Sequence, residues 1–145
     1  MTSPIPAAPR VLVVDDSIVV RHVLTFTVRQ LPGFSEAIIE EASDGMTAFR
    51  KIQAEKYRFI LADVRMPQMD GLELVRRIRQ ELHDAQTPVV LITTLGTQED
   101  IDRGLEAGAT AYVIKPLSPH HIRTALIEIL SPTREAAGAT EPSRP

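Results

Sequence analysis

Few residues in this 145-residue chain have the types and spacing to do chemistry. An adjacent pair, Asp15-Asp16, closes the apolar run Val11-Leu12-Val13-Val14. A third acid, Asp63, closes Phe59-Ile60-Leu61-Ala62. Thr93-Thr94 follows Val89-Val90-Leu91-Ile92, and Lys115 follows Ala111-Tyr112-Val113-Ile114. Carboxylates at the tips of buried strands are costly unless a cation meets them or chemistry uses them. Three acids crowded together repel, so one of them binds a proton unless a metal sits among them. Mg2+ suits such a set, because it needs only one or two carboxylates, several waters and a phosphate oxygen. With the ion in place, Asp63 can act as a nucleophile toward phosphorus and form an aspartyl phosphate. Lys115 and the ion would offset charge on the transferring group, and Thr93 can donate to a phosphoryl oxygen.

These residues converge only if the runs before them are neighbouring parallel strands. Continuous apolar, β-branched runs of four residues read as strands buried on both faces. Runs 11–14, 59–62 and 89–92 are of this kind, 111–114 reads as a further strand, and a weaker strand is expected near 37–41. Helical patterns separate them. Asp16 or Ser17 can cap a helix over about 17–30, with Val20, Val23, Leu24, Thr27 and Leu31 on one side and Pro32-Gly33 ending it. Asp44-Gly45 opens a second helix with Ala48, Phe49 and Ile52 inward. A third, 71–82, buries Leu72, Val75, Ile78 and Leu82 and turns Arg76, Arg77, Arg79 and Glu81 to solvent. Thr97 to Asp100 resembles a capping box before Ile101, Gly104, Leu105 and Gly108. Ser118-Pro119 starts the last helix, with Ile122, Ala125, Leu126, Ile129 and Leu130 as its apolar stripe. Five alternations of strand and helix predict an α/β domain with a parallel sheet over residues 10–130. Such sheets bind ligands outside the carboxyl ends of their strands, where all the residues named above fall. Residues 1–9 hold three prolines and no periodicity, and 131–145 are small, polar and Pro-containing. Both are expected to be disordered.

Composition removes several function classes. The formal net charge of -3, from 16 Lys+Arg and 19 Asp+Glu, gives no basic footprint for direct nucleic-acid binding. No cysteine is present, which excludes disulfide and thiolate chemistry. No apolar run approaches the roughly 18 residues of a membrane span, and the first residues lack the pattern of a secretory signal. A cytoplasmic location is expected. Neither G-x-x-x-x-G-K-[ST] nor G-x-G-x-x-G occurs, which disfavours a nucleotide enzyme.

Four segments, in order, carry a resemblance: Val11 to Ser17, Leu61 to Gly71, Leu91 to Thr94 and Tyr112 to Pro116. Together they resemble the receiver domain of two-component response regulators, similar to the single-domain chemotaxis type, over about residues 10–130. The resemblance implies a flavodoxin-like (βα)5 fold with strand order 2-1-3-4-5. It implies Asp63 as the phosphorylation site. It implies Mg2+, with Mn2+ as a substitute, held by Asp16 directly, Asp15 through water, Asp63 and the backbone carbonyl of Arg65. Thr93 becomes the switch hydroxyl with Thr94 beside it, Tyr112 the switch aromatic and Lys115 the phosphate-binding lysine. A cis Lys115–Pro116 bond is implied. The phosphodonor would be a histidine kinase or phosphotransfer protein, and a downstream protein target would read the face of helix four, strand five and helix five. The protein would be a monomer or a weak phosphorylation-dependent dimer. Arg65 and Leu95 flank the position from which such domains tune acyl-phosphate hydrolysis. A cation and an apolar group offer little to orient a water, so slow self-dephosphorylation is expected.

Each residue also has a plainer reading. Asp63 alone is a strand-end cap, Lys115 alone a surface lysine, Thr93 a strand terminus and Tyr112 sheet packing. Asp70-Gly71 is turn and helix-start chemistry. His22, His83, His120 and His121 form no metal-spaced set. Rival functions are an aspartyl-phosphate phosphohydrolase and a phosphorylation-independent interaction module. The haloacid-dehalogenase-like pattern of the former carries a second acid two residues past the nucleophile, where this chain has Arg65. No output domain fits this length, so the reading is a stand-alone regulator, or alternatively the receiver part of a longer one.

Overall fold

Apolar strands that are buried on both faces need a helix layer on each side of their sheet. The computed structural model describes residues 8–94, 96–115 and 118–131. Its strands are β1 (Arg10–Val14), β2 (Ile38–Ala42), β3 (Phe59–Ala62), β4 (Val89–Thr93) and β5 (Ala111–Ile114). Its helices are α1 (Ile18–Arg29), α2 (Gly45–Ala54), α3 (Gly71–Gln80), α4 (Gln98–Ala107) and α5 (Pro119–Ile129). All pairings are parallel, in the order β2-β1-β3-β4-β5. The expected topology is the observed one. The second strand is displaced by one residue, because Ile38 to Ala42 pairs in register with Arg10 to Val14.

Side-chain alternation along each strand feeds two cores. Leu12, Val14, Ile60, Ala62, Val89 and Leu91 face Ala48 and Phe49 of α2 and Leu74, Val75 and Ile78 of α3. Val11, Val13, Phe59, Leu61, Val90, Ile92 and Val113 face Leu24 and Val28 of α1 and Ile122 and Leu126 of α5. Leu74 and Val28 lie at these core positions although neither was among the residues expected to face inward. Leu72 and Leu82 are only partly buried. The helix starts are local chemistry. Ser17, Asp44, Asp70, Thr97 and Ser118 each accept a backbone N–H of the first turn, and Thr97 with Asp100 completes a capping box. Gly108, placed by its spacing within the fourth helical pattern, is instead the cap of α4 in the left-handed region at φ 114°.

Arg79 corrects the expectation of a solvated arginine face. Its guanidinium donates to the carbonyls of Gly108, Asp84 and Thr87 at 3.0, 3.0 and 2.8 Å, joining α3 to the end of α4 and to the turn before β4. Arg77 also turns inward enough to lie over the Phe49 ring, 5.7 Å from its centroid. Arg76 remains on the outside, within 3.7 Å of Glu73. Truncating Arg79 to Ala leaves three carbonyls to find water, and urea denaturation should show a loss of roughly 2 kcal/mol. The acids at the opposite end of the strands should be unaffected.

Candidate functional site

Parallel register decides which strand tips meet. Val14 of β1 sits beside Ala62 of β3, so the residues that follow, Asp15 and Asp63, emerge side by side at the switch in strand order. The Asp63 N–H donates to Val14 O at 3.0 Å, continuing the ladder. On the far side, β4 and β5 pair Thr93 with Ile114, and the Lys115 N–H donates to Thr93 O at 2.7 Å. Asp15, Asp63 and Lys115 continue the pleat of the α1/α5 face. Thr93 and Tyr112 follow the pleat of the α2/α3/α4 face.

The acids and the lysine therefore meet. Lys115 Nζ lies 3.3 Å from Asp15 Oδ2 and 3.6 Å from Asp63 Oδ2. Asp15 and Asp63 are buried, at 2% and 7% exposure, while Asp16 is exposed. Ser17, not Asp16, caps α1, which leaves the Asp16 carboxylate available. One oxygen from each of Asp15, Asp16 and Asp63 lies within 4.8 Å of the others. Mg2+ takes oxygens at about 2.1 Å and keeps several waters. An all-oxygen set at this spacing fits that ion. Burial pushes the Asp15 carboxyl above its ordinary value and the charge of Asp63 adds to this, while the Ser17 N–H and Lys115 oppose it. A cation at the acids would remove that penalty.

The loop after β3 is seated by a glycine. A Cβ on Gly71 would stand 2.4 Å from the Asp63 carbonyl oxygen and 3.0 Å from Val64 Cα. The Gly71 N–H donates to Val64 O at 2.8 Å. Asp70 caps α3 as expected, but Gly71 does more than open a helix: it lets α3 start directly against the backbone of Asp63. Arg65 is exposed in this loop and, with Met66, Pro67, Asp70, Leu72 and Arg103, lines an open depression that Asp16 borders.

A model of the response regulator receiver domain family matches residues 11–127. The chain belongs to this family. The gliding motility regulatory protein of Myxococcus xanthus is 42% identical to it over 120 residues, 79% of this chain but 15% of that protein. This receiver domain thus spans about a seventh of that relative's length. Chemotaxis protein CheY1 of Helicobacter pylori is 32% identical over 122 residues, covering 83% of this chain and 96% of the relative. The solved structure of the chemotaxis response regulator CheY4 of Vibrio cholerae superposes with a TM-score of 0.75 at 32% identity, covering 85% of this chain and 99% of that one. Receiver domains are signalling regulators rather than turnover enzymes, and they work with histidine kinases or phosphotransfer proteins and downstream targets.

Within the receiver domain, Asp15, Asp16, Asp63 and Lys115 are brought into one cluster. Thr93 is the buried last residue of β4, and Thr94 is exposed one position beyond it. Tyr112 lies further back on β5, opposite Leu91. Its ring packs against α4 at Gly104, where a Cβ would come within 2.7 Å of the ring. Burial, followed by the charges of Asp100 and Asp63, pushes the Tyr112 hydroxyl up to about 12, so it is protonated at neutral pH. Pro116 and Leu95, and with them the expected cis Lys115–Pro116 bond, lie outside the described residues, as do 1–7 and 132–145. The four histidines are exposed. Arg21 has no place in the sequence reading, which gives Gly71 only a helix-start role and Gly104 only helical spacing. A glycine after a capping aspartate and a glycine in a helix facing an aromatic strand residue are weak hints. An arginine amid apolar helix residues is none.

Proposed function

We propose that this receiver domain is a phosphoacceptor switch that takes its phosphoryl group on Asp63. The geometry that carries the reading is Lys115 Nζ 3.6 Å from Asp63 Oδ2, beside three carboxylates close enough to share an ion. An Asp63 oxygen attacks phosphorus, a P–O bond forms, and the P–N bond of a phosphohistidine on a histidine kinase or phosphotransfer protein breaks. The electron pair leaves with the imidazole. Asp16 and Asp63, with the Arg65 carbonyl, would hold Mg2+ directly, and Asp15 would hold it through water. When bound, the ion supplies positive charge to the acids and the phosphoryl oxygens, and Mn2+ is the natural substitute. The ammonium of Lys115 pairs with a phosphoryl oxygen once the group is attached. Thr93 then moves toward that group, and Tyr112 turns into the space it leaves. The face of α4, β5 and α5 thereby shifts in population toward the form a downstream protein reads.

The phosphohydrolase reading has no second acid two residues past Asp63: Arg65 stands there, exposed. Among the described residues no helix is long and apolar enough to cross a membrane. We take the switch to act in the cytoplasm. We take residues 10–130 as the receiver unit. We read it as a stand-alone regulator. The alternative is one part of a longer regulator, as in the Myxococcus relative. Monomer, or weak dimer on phosphorylation, is the state expected.

Incubation with acetyl phosphate and Mg2+ should give an acid-stable, hydroxylamine-labile label. A chelator should abolish it, and the label should decay slowly after the donor is removed. No label from acetyl phosphate or from a cognate kinase would sink the reading.

A further inference from the structure

The main chain of Asp15 is held from both sides. Its N–H donates to Ala42 O at the end of β2, at 3.1 Å. Its carbonyl accepts from Arg21 Nη1 of α1, at 2.6 Å. The Arg21 side chain is only 14% exposed, and its Nε donates to Glu41 Oε1 at 2.7 Å. The carbonyl of Asp15 and the N–H of Asp16 share one rigid peptide plane. Whatever fixes that carbonyl also fixes the direction in which Asp16 leaves the strand. Asp16 has no capping role and is exposed, so its main chain is the means of aiming it.

We propose that Arg21, braced by Glu41, is a positioning residue for the metal carboxylates: it sets the Asp15–Asp16 peptide and through it the affinity for Mg2+. This rests on reading Asp15, Asp16 and Asp63 as the Mg2+ site. The residue type suits the task. A guanidinium is a rigid fork that can give one nitrogen to a carboxylate and another to a carbonyl, which a lysine ammonium does less well. A bare cation this close would repel the metal, and Glu41 offsets it. The plainer alternative is that Arg21 merely staples α1 to β2. That role would lower stability and leave Mg2+ affinity alone.

Calorimetric titration of Mg2+ into the full chain separates the two, with thermal melting in chelator as the control for folding. Loss of an outer-shell partner typically weakens metal affinity about 10–100-fold. Arg21→Ala should fall near the lower end of that range. Labelling by acetyl phosphate should then need about tenfold more Mg2+ for half its maximal rate and reach the native rate at saturation. Arg21→Lys should lie between the two proteins, and it decides the matter if the Ala variant does not fold. A folded variant with native Mg2+ affinity overturns the proposal. So does a lower saturating rate with an unchanged Mg2+ midpoint. If the native chain itself binds no Mg2+, the reading of the acid cluster falls, and this inference falls with it.

Discussion

Asp63→Asn is expected to take up no phosphoryl label from acetyl phosphate under conditions that label the native chain. The amide has nearly the shape of the carboxylate but no anionic oxygen to attack phosphorus. The substitution should leave the surroundings in place. Asp63 follows a ladder hydrogen bond from its own N–H to Val14 O, which the side chain does not influence. Lys115 keeps Asp15 at 3.3 Å as its partner. The variant should therefore fold and melt no lower than the native chain, since one of three crowded charges has gone. That control matters because lost label in an unfolded protein would mean nothing. Hydroxylamine-labile label on a folded Asp63→Asn would move the acceptor to Asp15 or Asp16.

Asp15→Asn should have opposite effects on stability and on function. Burial, with the charge of Asp63 adding to it, raises the Asp15 pKa above its ordinary value. The native state then holds this proton more tightly than the unfolded chain does. Stability falls as pH rises from the ordinary value through the raised one, and the whole penalty is present only above the raised value. An uncharged Asn removes it and can still accept the Ser17 N–H, now at 2.9 Å from Asp15 Oδ1. Without metal, the variant should melt a few degrees higher at pH 7, and the gain should shrink toward acid pH. Thermal melts in chelator across pH check this. The same variant should bind Mg2+ weakly and label slowly, and the stabilisation that Mg2+ gives the native chain should be largely lost. A variant that melts lower than the native chain at neutral pH would show that the Lys115 pair outweighs the crowding.

Much of this was readable from residue order. The tips of β1 and β3 could be read because each follows four consecutive apolar residues, a pattern that leaves little doubt about burial. Parallel pairing forces the neighbouring tips of β1 and β3 together, whereas Lys115, two strands away from β3, joins them only through the strand order that the resemblance implies. Arg79 was not legible. It stands among Arg76, Arg77 and Glu81, and local pattern cannot show that three carbonyls from other segments converge on it. Leu74 was missed for a related reason: Leu72 fits the helical spacing equally well, and only the packing of α3 on α2 and the sheet decides between them. Tyr112 was identified through resemblance. Its contact with Gly104 depends on how α4 sits on β5, which no single-chain periodicity encodes.

The division of the site between two pleats bears on how such a chain can vary in length. Asp63 and Lys115 belong to one face, Thr93 and Tyr112 to the other, and the Lys115 N–H to Thr93 O bond ties the two together. A single residue inserted within β4 or β5 would send the hydroxyl, the aromatic or the ammonium to the wrong side. Insertions in the turn at 83–88, at the opposite end of the strands, carry no such consequence. Among variants of this chain that still signal, gains and losses of residues should gather at that end, while β4 and β5 keep their length.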